Sequence, residues 1–146
     1  MCIRDRLEIG RLAHALLQDL PDIPTAKIPE VAERYLERNG GALDPSQRKR
    51  LAEQILRILA LPDLAPLFAP GSRAEVAITG ALARPGRPDL AYSGRIDRLS
   101  VTGDAVLVAD FKTGGDPGGA PEAYAAQLAL YRALLAPCLL YTSRCV

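Results

Sequence analysis

The hydrophobic pattern of the chain changes period once, in the PLFAPGS segment at residues 66–72. Before it, apolar residues recur at helical spacing. In LEIGRLAHALLQDL, residues 7–20, Ile9, Ala13, Leu16, Leu17 and Leu20 gather on one side, and PDIP ends the run. A second helix fits PEVAERYLERN, with Pro29 in its first turn and Gly40-Gly41 closing it. A third starts from Asp44 as cap and Pro45 as first helical residue, and Pro62 stops it. After PLFAPGS the pattern alternates. In RAEVAITGAL, Glu75, Ala77 and Thr79 oppose Val76, Ile78 and Gly80, which predicts a strand. LAYSGRIDRLSV and AVLVADFKT predict two more, giving strands over about 73–82, 90–102 and 105–113. GGDPGGAP reads as a flexible break. PEAYAAQLALYRALL then predicts a last helix, with an apolar stripe through Ala125, Leu128 and Leu135. Helices, an antiparallel three-strand meander and a closing helix make an α/β layered domain.

Composition narrows this picture modestly. A chain of 146 residues has room for one domain. Its formal net charge is +1, so no global field draws in nucleic acid or a membrane, and any DNA contact must come from a local cluster. No apolar run reaches the roughly 18 residues of a membrane helix and no secretory leader is recognisable, so the expectation is a cytoplasmic protein with no membrane partner. Cys2, Cys138 and Cys145 fit neither a zinc site nor a disulfide framework. The terminal stretches MCIRDR and CLLYTSRCV depart from the Ala/Leu/Arg/Pro-rich interior and resemble translated sequencing adaptor. Residues 1–6 and 138–146 are therefore set aside, and the domain is expected over 7–136 as a truncated piece of a larger protein.

The chemistry concentrates in GRIDRLSVTGDAVLVADFKTG, residues 94–114. Gly103-Asp104 suits a two-residue hairpin loop, which pairs Thr102 with Ala105, Leu99 with Val108 and Asp97 with Asp110. The two carboxylates become cross-strand neighbours, and Lys112 projects from the same face as Asp110. Like charges so placed destabilise a sheet. Three resolutions are open: one carboxylate is protonated, the lysine neutralises both, or a divalent cation such as Mg²⁺ or Mn²⁺ sits between them. A solvated surface pair is the bland alternative. Glu75, on the preceding strand, is a further candidate ligand, with a solvated strand charge as the equal alternative. Arg95 and Arg98 flank Asp97 and project to opposite faces, so at most one can grip phosphate. The QRKR run at 47–50 reads as a solvated helix face.

In order, His14, GRID around Asp97, VLVADFKT around Asp110 and Lys112, and the Gln127-x-x-x-Tyr131 helix resemble the RecB-like nuclease domain of the PD-(D/E)xK superfamily. The similarity looks closest to the C-terminal nuclease domain of AddA-type helicase–nuclease subunits of bacterial double-strand-break repair. The resemblance implies a restriction-endonuclease-like core and metal-dependent DNA hydrolysis of an exonuclease, end-processing kind. It implies Asp97, Asp110 and His14 as ligands of Mg²⁺ or Mn²⁺, and Lys112 as the residue that orients the attacking water and offsets charge. Gln127 and Tyr131, with Arg95 and Thr113, would face the DNA; a Tyr131 packed beneath the sheet is the structural alternative. The partners implied are a single-stranded end or unwound duplex, helicase domains of the same full-length protein and a second helicase–nuclease subunit, in a nucleoid-associated setting. A catalytically silent DNA-binding or assembly module is the rival reading, and the presence of both the lysine and the aspartates speaks against it.

Overall fold

The computed structural model describes residues 3–103, 105–112 and 122–142. Three helices come first: α1 (Ile3–Asp19), α2 (Ile28–Asn39) and α3 (Pro45–Leu59). Strands β1 (Arg73–Arg84), β2 (Arg87–Val101) and β3 (Val106–Ala109) follow, and α4 (Glu122–Thr142) closes the order. Both α1 and α4 continue into the terminal segments set aside above. Among the described residues no helix is long and apolar enough to cross a membrane.

The helical layer is organised by its apolar stripes. Leu12, Ala13, Leu16, Leu17 and Leu20 meet Ala32 and Leu36 of α2 and Leu51, Ala52 and Ile55 of α3 in one buried cluster. The start of α3 is fixed by a reciprocal cap. The Asp44 carboxylate accepts the Gln47 backbone N–H at 2.8 Å, and the Gln47 side chain accepts the Asp44 N–H at 2.8 Å. Arg48 closes the preceding turn by donating to the carbonyls of Gly40 and Leu43, so the basic run is partly structural.

The sheet is antiparallel in the order β1-β2-β3. Leu99 pairs with Val108 and Val101 with Val106, the register expected from the Gly-Asp loop, and the Thr102 N–H bonds the Ala105 carbonyl at 2.8 Å. β1 and β2 run longer at their hairpin than the sequence predicts, and β3 is shorter. Its ladder ends at the Arg98–Ala109 pair because the next available donor, the Phe111 N–H, goes to the Asp97 carboxylate at 2.6 Å. Along β2 from Tyr92 to Ser100 the even-numbered residues are the more buried, while Ser93 and Arg95 are exposed and Asp97 and Leu99 are half-buried.

α4 lies over β1 and β2. Ile78, Ile96 and Tyr131 form the buried centre of this second cluster, with Tyr92, Leu134 and Leu135 around it. Two glycines permit the approach. A Cβ at Gly80 would meet Leu134 at 2.8 Å, and one at Gly94 would meet the Tyr92 ring, which packs edge-on against Tyr131. The predicted stripe of α4 is corrected here: Ala125 and Leu128 are exposed, and the buried face runs through Tyr131 instead. The helix is apolar nearly all round, so its period does not select a face.

Arg98 joins the two layers. Although charged, it is 1% exposed, and it donates to the carbonyls of Gln18 and Leu67 and to the Ser72 hydroxyl. Its guanidinium also lies 5.8 Å from the centre of the Phe68 ring. Burial lowers its pKa, with the charge of Asp22 acting in the opposite sense. Gln18 belongs to the last turn of α1, where carbonyls lack intrahelical partners and the helix dipole favours a cation. Arg98 therefore ties α1 to β2 next to Asp97, one helical turn from His14.

Candidate active site

The backbone of Phe111 is the centre of the site. Its N–H donates to Asp97 Oδ2, and its carbonyl lies 2.7 Å from His14 Nε2. A carbonyl only accepts, so Nε2 carries a hydrogen, and in the neutral ring Nδ1 then presents a lone pair. Nδ1 faces Asp97 Oδ2 at 3.5 Å. Two acceptors aimed at one another call for a cation or a proton between them. The Phe111 ring anchors this backbone by packing edge-on to His14 and stacking with Phe68.

Glu75 supplies a third donor. Ligand atoms of His14, Glu75 and Asp97 all lie within 4.8 Å of one another. Glu75 stands opposite Asp97 in the sheet, between the Ala74–Arg98 and Val76–Ile96 pairs. Its φ of 52° is the single positive value at a non-glycine among the described residues, a strained conformation of the kind that gathers at functional sites. Burial pushes the Asp97 carboxyl above its ordinary range; the Phe111 N–H and His14 act against this, and Asp110 adds to it. An imidazole nitrogen and two carboxylates form a donor set suited to a divalent ion such as Mn²⁺ or Mg²⁺, with water completing the shell. The fit is good.

Asp110 lies beside this group and is held by other partners. It stands outside the group that His14, Glu75 and Asp97 form. Its carboxylate is paired with the Lys112 ammonium and receives a long 3.4 Å contact from the Gln127 amide. The β2–β3 register, continued one step past the Arg98–Ala109 pair, sets Asp110 beside Asp97, and its oxygens take Lys112 and Gln127 as partners. Lys112 also lies 5.5 Å from the centre of the Tyr124 ring.

Gln127 donates to the Tyr131 hydroxyl at 2.7 Å, and that hydroxyl donates to the Arg95 carbonyl at 2.7 Å. Tyr131 is 1% exposed, so its ring has no face free for a base, and its hydroxyl accepts from the same Gln127 amide that contacts Asp110. Burial raises its phenol pKa, and the Gln127 hydrogen bond lowers it in part. Arg95 is exposed and paired with Glu75 at 3.0 Å. Thr113 lies outside the described residues.

Sequence reasoning missed the Phe111 backbone contacts and the Arg98 tie. No side-chain type marks a backbone contact, and Arg98 differs from Arg95 in the sequence only by its place in the alternation.

A family profile for the PD-(D/E)XK nuclease superfamily matches residues 3–141. The chain belongs to the PD-(D/E)XK nuclease superfamily. No curated protein matches the sequence. Within this superfamily domain, the His/Glu/Asp group is where a divalent metal could be held, and the Asp110–Lys112 pair adjoins it through Phe111.

Proposed function

We propose that this domain is a Mg²⁺- or Mn²⁺-dependent deoxyribonuclease, and that it processes DNA ends as the nuclease part of an AddA-type helicase–nuclease in double-strand-break repair. The observation that carries the hydrolytic reading is the convergence of His14 Nδ1, Glu75 and Asp97 next to an ion-paired lysine. His14, Asp97 and Glu75 would hold the cation, with Asp110 as the carboxylate that places Lys112. A cation bound there would supply a lowered water pKa and polarisation of the phosphoryl oxygens.

The chain's own residues do the rest. In the reaction, a water oxygen attacks phosphorus, the bond to the 3′ oxygen breaks, and that oxygen takes up a proton. Lys112, positioned by Asp110, donates a hydrogen bond to the attacking water or to a phosphoryl oxygen and offsets the charge gathering there. Gln127 steadies Asp110 and in turn rests on Tyr131. Arg95, at the exposed rim, is the group able to take a phosphate. The helicase domains and second subunit are partners proposed from the resemblance in the sequence.

The test is incubation of the purified protein with labelled single-stranded DNA in Mg²⁺, Mn²⁺ or chelator, with Asp97→Ala and Lys112→Ala alongside. Cleavage is expected only with a divalent ion and only in the wild type. Persistence in chelator, or in both variants, overturns the assignment. Calorimetric uptake of Mn²⁺ without any cleavage would favour the silent module.

A further inference from the structure

We infer that Glu75 is shared between two cations in turn: Arg95 occupies it when no metal is bound, and a divalent ion takes it over and frees Arg95 to grip the DNA phosphate. This rests on the metal reading above and adds a coupling to it. Three observations carry it.

Glu75 belongs to both arrangements at once. Its carboxylate is one of the three converging donors, and its Oε2 lies 3.0 Å from Arg95 Nη1. A carboxylate oriented toward a divalent ion has fewer lone pairs left for a guanidinium, and the ion's positive charge repels that guanidinium.

The contact between them is easily exchanged. The Arg95 side chain is 66% exposed and Glu75 31%, and exposed pairs of this kind are weak and readily screened. By contrast, the backbone of Arg95 is fixed, because its carbonyl accepts the Tyr131 hydroxyl. The side chain can therefore swing while its root stays at the rim of the site.

The charges fit the sequence of events. Without metal, the guanidinium offsets one of the two carboxylates, Glu75 and Asp97, and the rim offers little to a polyanion. With a divalent ion, the two carboxylates are balanced and the Arg95 charge is left for a phosphodiester, which prefers the forked guanidinium geometry. DNA would then be gripped mainly by the metal-loaded protein, which keeps the strand away from a site unable to cut it.

The experiment needs no turnover. Mn²⁺ binding is measured by calorimetry without DNA, and binding of a labelled single-stranded oligonucleotide is measured by anisotropy in chelator. The proteins are wild type, Arg95→Gln, Glu75→Gln and the double variant, each checked for fold by circular dichroism. Arg95→Gln should bind Mn²⁺ about two- to five-fold more tightly, the range given by the weakness of exposed ion pairs. Glu75→Gln should bind DNA more tightly than wild type in chelator, and the double variant should lose that gain. Unchanged or weaker Mn²⁺ binding by Arg95→Gln overturns the inference alone. So does a gain in DNA affinity that survives in the double variant, since it would then reflect only the lost negative charge. A folded wild type that takes up no Mn²⁺ overturns the metal reading and this inference with it.

Discussion

Replacing Arg98 with methionine tests how the helical layer is held to the sheet beside the site. Methionine matches much of the stem but has no donor. The carbonyls of Gln18 and Leu67 and the Ser72 hydroxyl would each lose their bond from the guanidinium, in a place where the arginine is 1% exposed. A buried polar group left unsatisfied costs about 1–3 kcal/mol, and three are affected. Relief of the guanidinium's own desolvation, the effect that lowers its pKa, offsets part of this. The net expectation is a loss of about 2–4 kcal/mol. For a chain of this size that corresponds to a fall in melting temperature of about 5–15 °C. Thermal unfolding followed by circular dichroism measures it, and Mn²⁺ titration of the same variant should show weaker binding, because Gln18 sits one turn after His14. Arg98→Lys should recover part of both. A melting temperature within about 2 °C of wild type would refute the claim that these bonds fasten α1 to β2.

Asp97→Asn should make the metal-free protein less sensitive to pH. The raised folded pKa of Asp97 means that its contribution favours folding below the usual carboxylate range and is lost as pH rises through the folded value. Melts in chelator across that window should therefore slope downward for the wild type and less so for Asp97→Asn, which also loses the rise in melting temperature on adding Mn²⁺. Tyr131→Phe takes the tyrosine's hydrogen bond from the Arg95 carbonyl and should cost about 1 kcal/mol by chemical denaturation, with a lower rate of DNA cleavage as Gln127 loosens. Asp44→Ala removes the α3 cap and should lower the denaturation midpoint in the same assay, while cleavage at a temperature well below the melt stays at the wild-type rate.

Much of the architecture was legible because local rules and tertiary packing agree. A Gly-Asp loop at 103–104 predicts the hairpin register, and the Leu99–Val108 pair agrees with it. Asp44-Pro45 marked the start of α3, and the side chains complete the cap that the sequence suggests. Legibility ended where neighbours distant in sequence decide. The face of α4 depends on Tyr131 finding the Arg95 carbonyl, which a helix apolar on nearly every side does not announce. The sequence expects Asp110 in the row of Asp97, and the ladder ends one pair short of it; the partners of its oxygens, Lys112 and a glutamine on the following helix, are not announced by the strand. Glu75 reads in the sequence equally as a candidate ligand and as a solvated strand charge, and nothing about a glutamate predicts a φ of 52°. Arg98 runs against the tendency of arginine to stay at the surface, and only its ring of carbonyl and hydroxyl acceptors makes burial tolerable.

The residue between the aspartate and the lysine is not a spacer. The backbone of this one residue, Phe111, holds Asp97 by its nitrogen and His14 by its oxygen, so a side chain of the sheet and a side chain of the first helix are both referred to the same short piece of chain. Proline at that point would delete the nitrogen's hydrogen and cut the linkage at once. The middle letter of Asp-Phe-Lys thus behaves as a jig, gauging the gap that any bound ion has to fit.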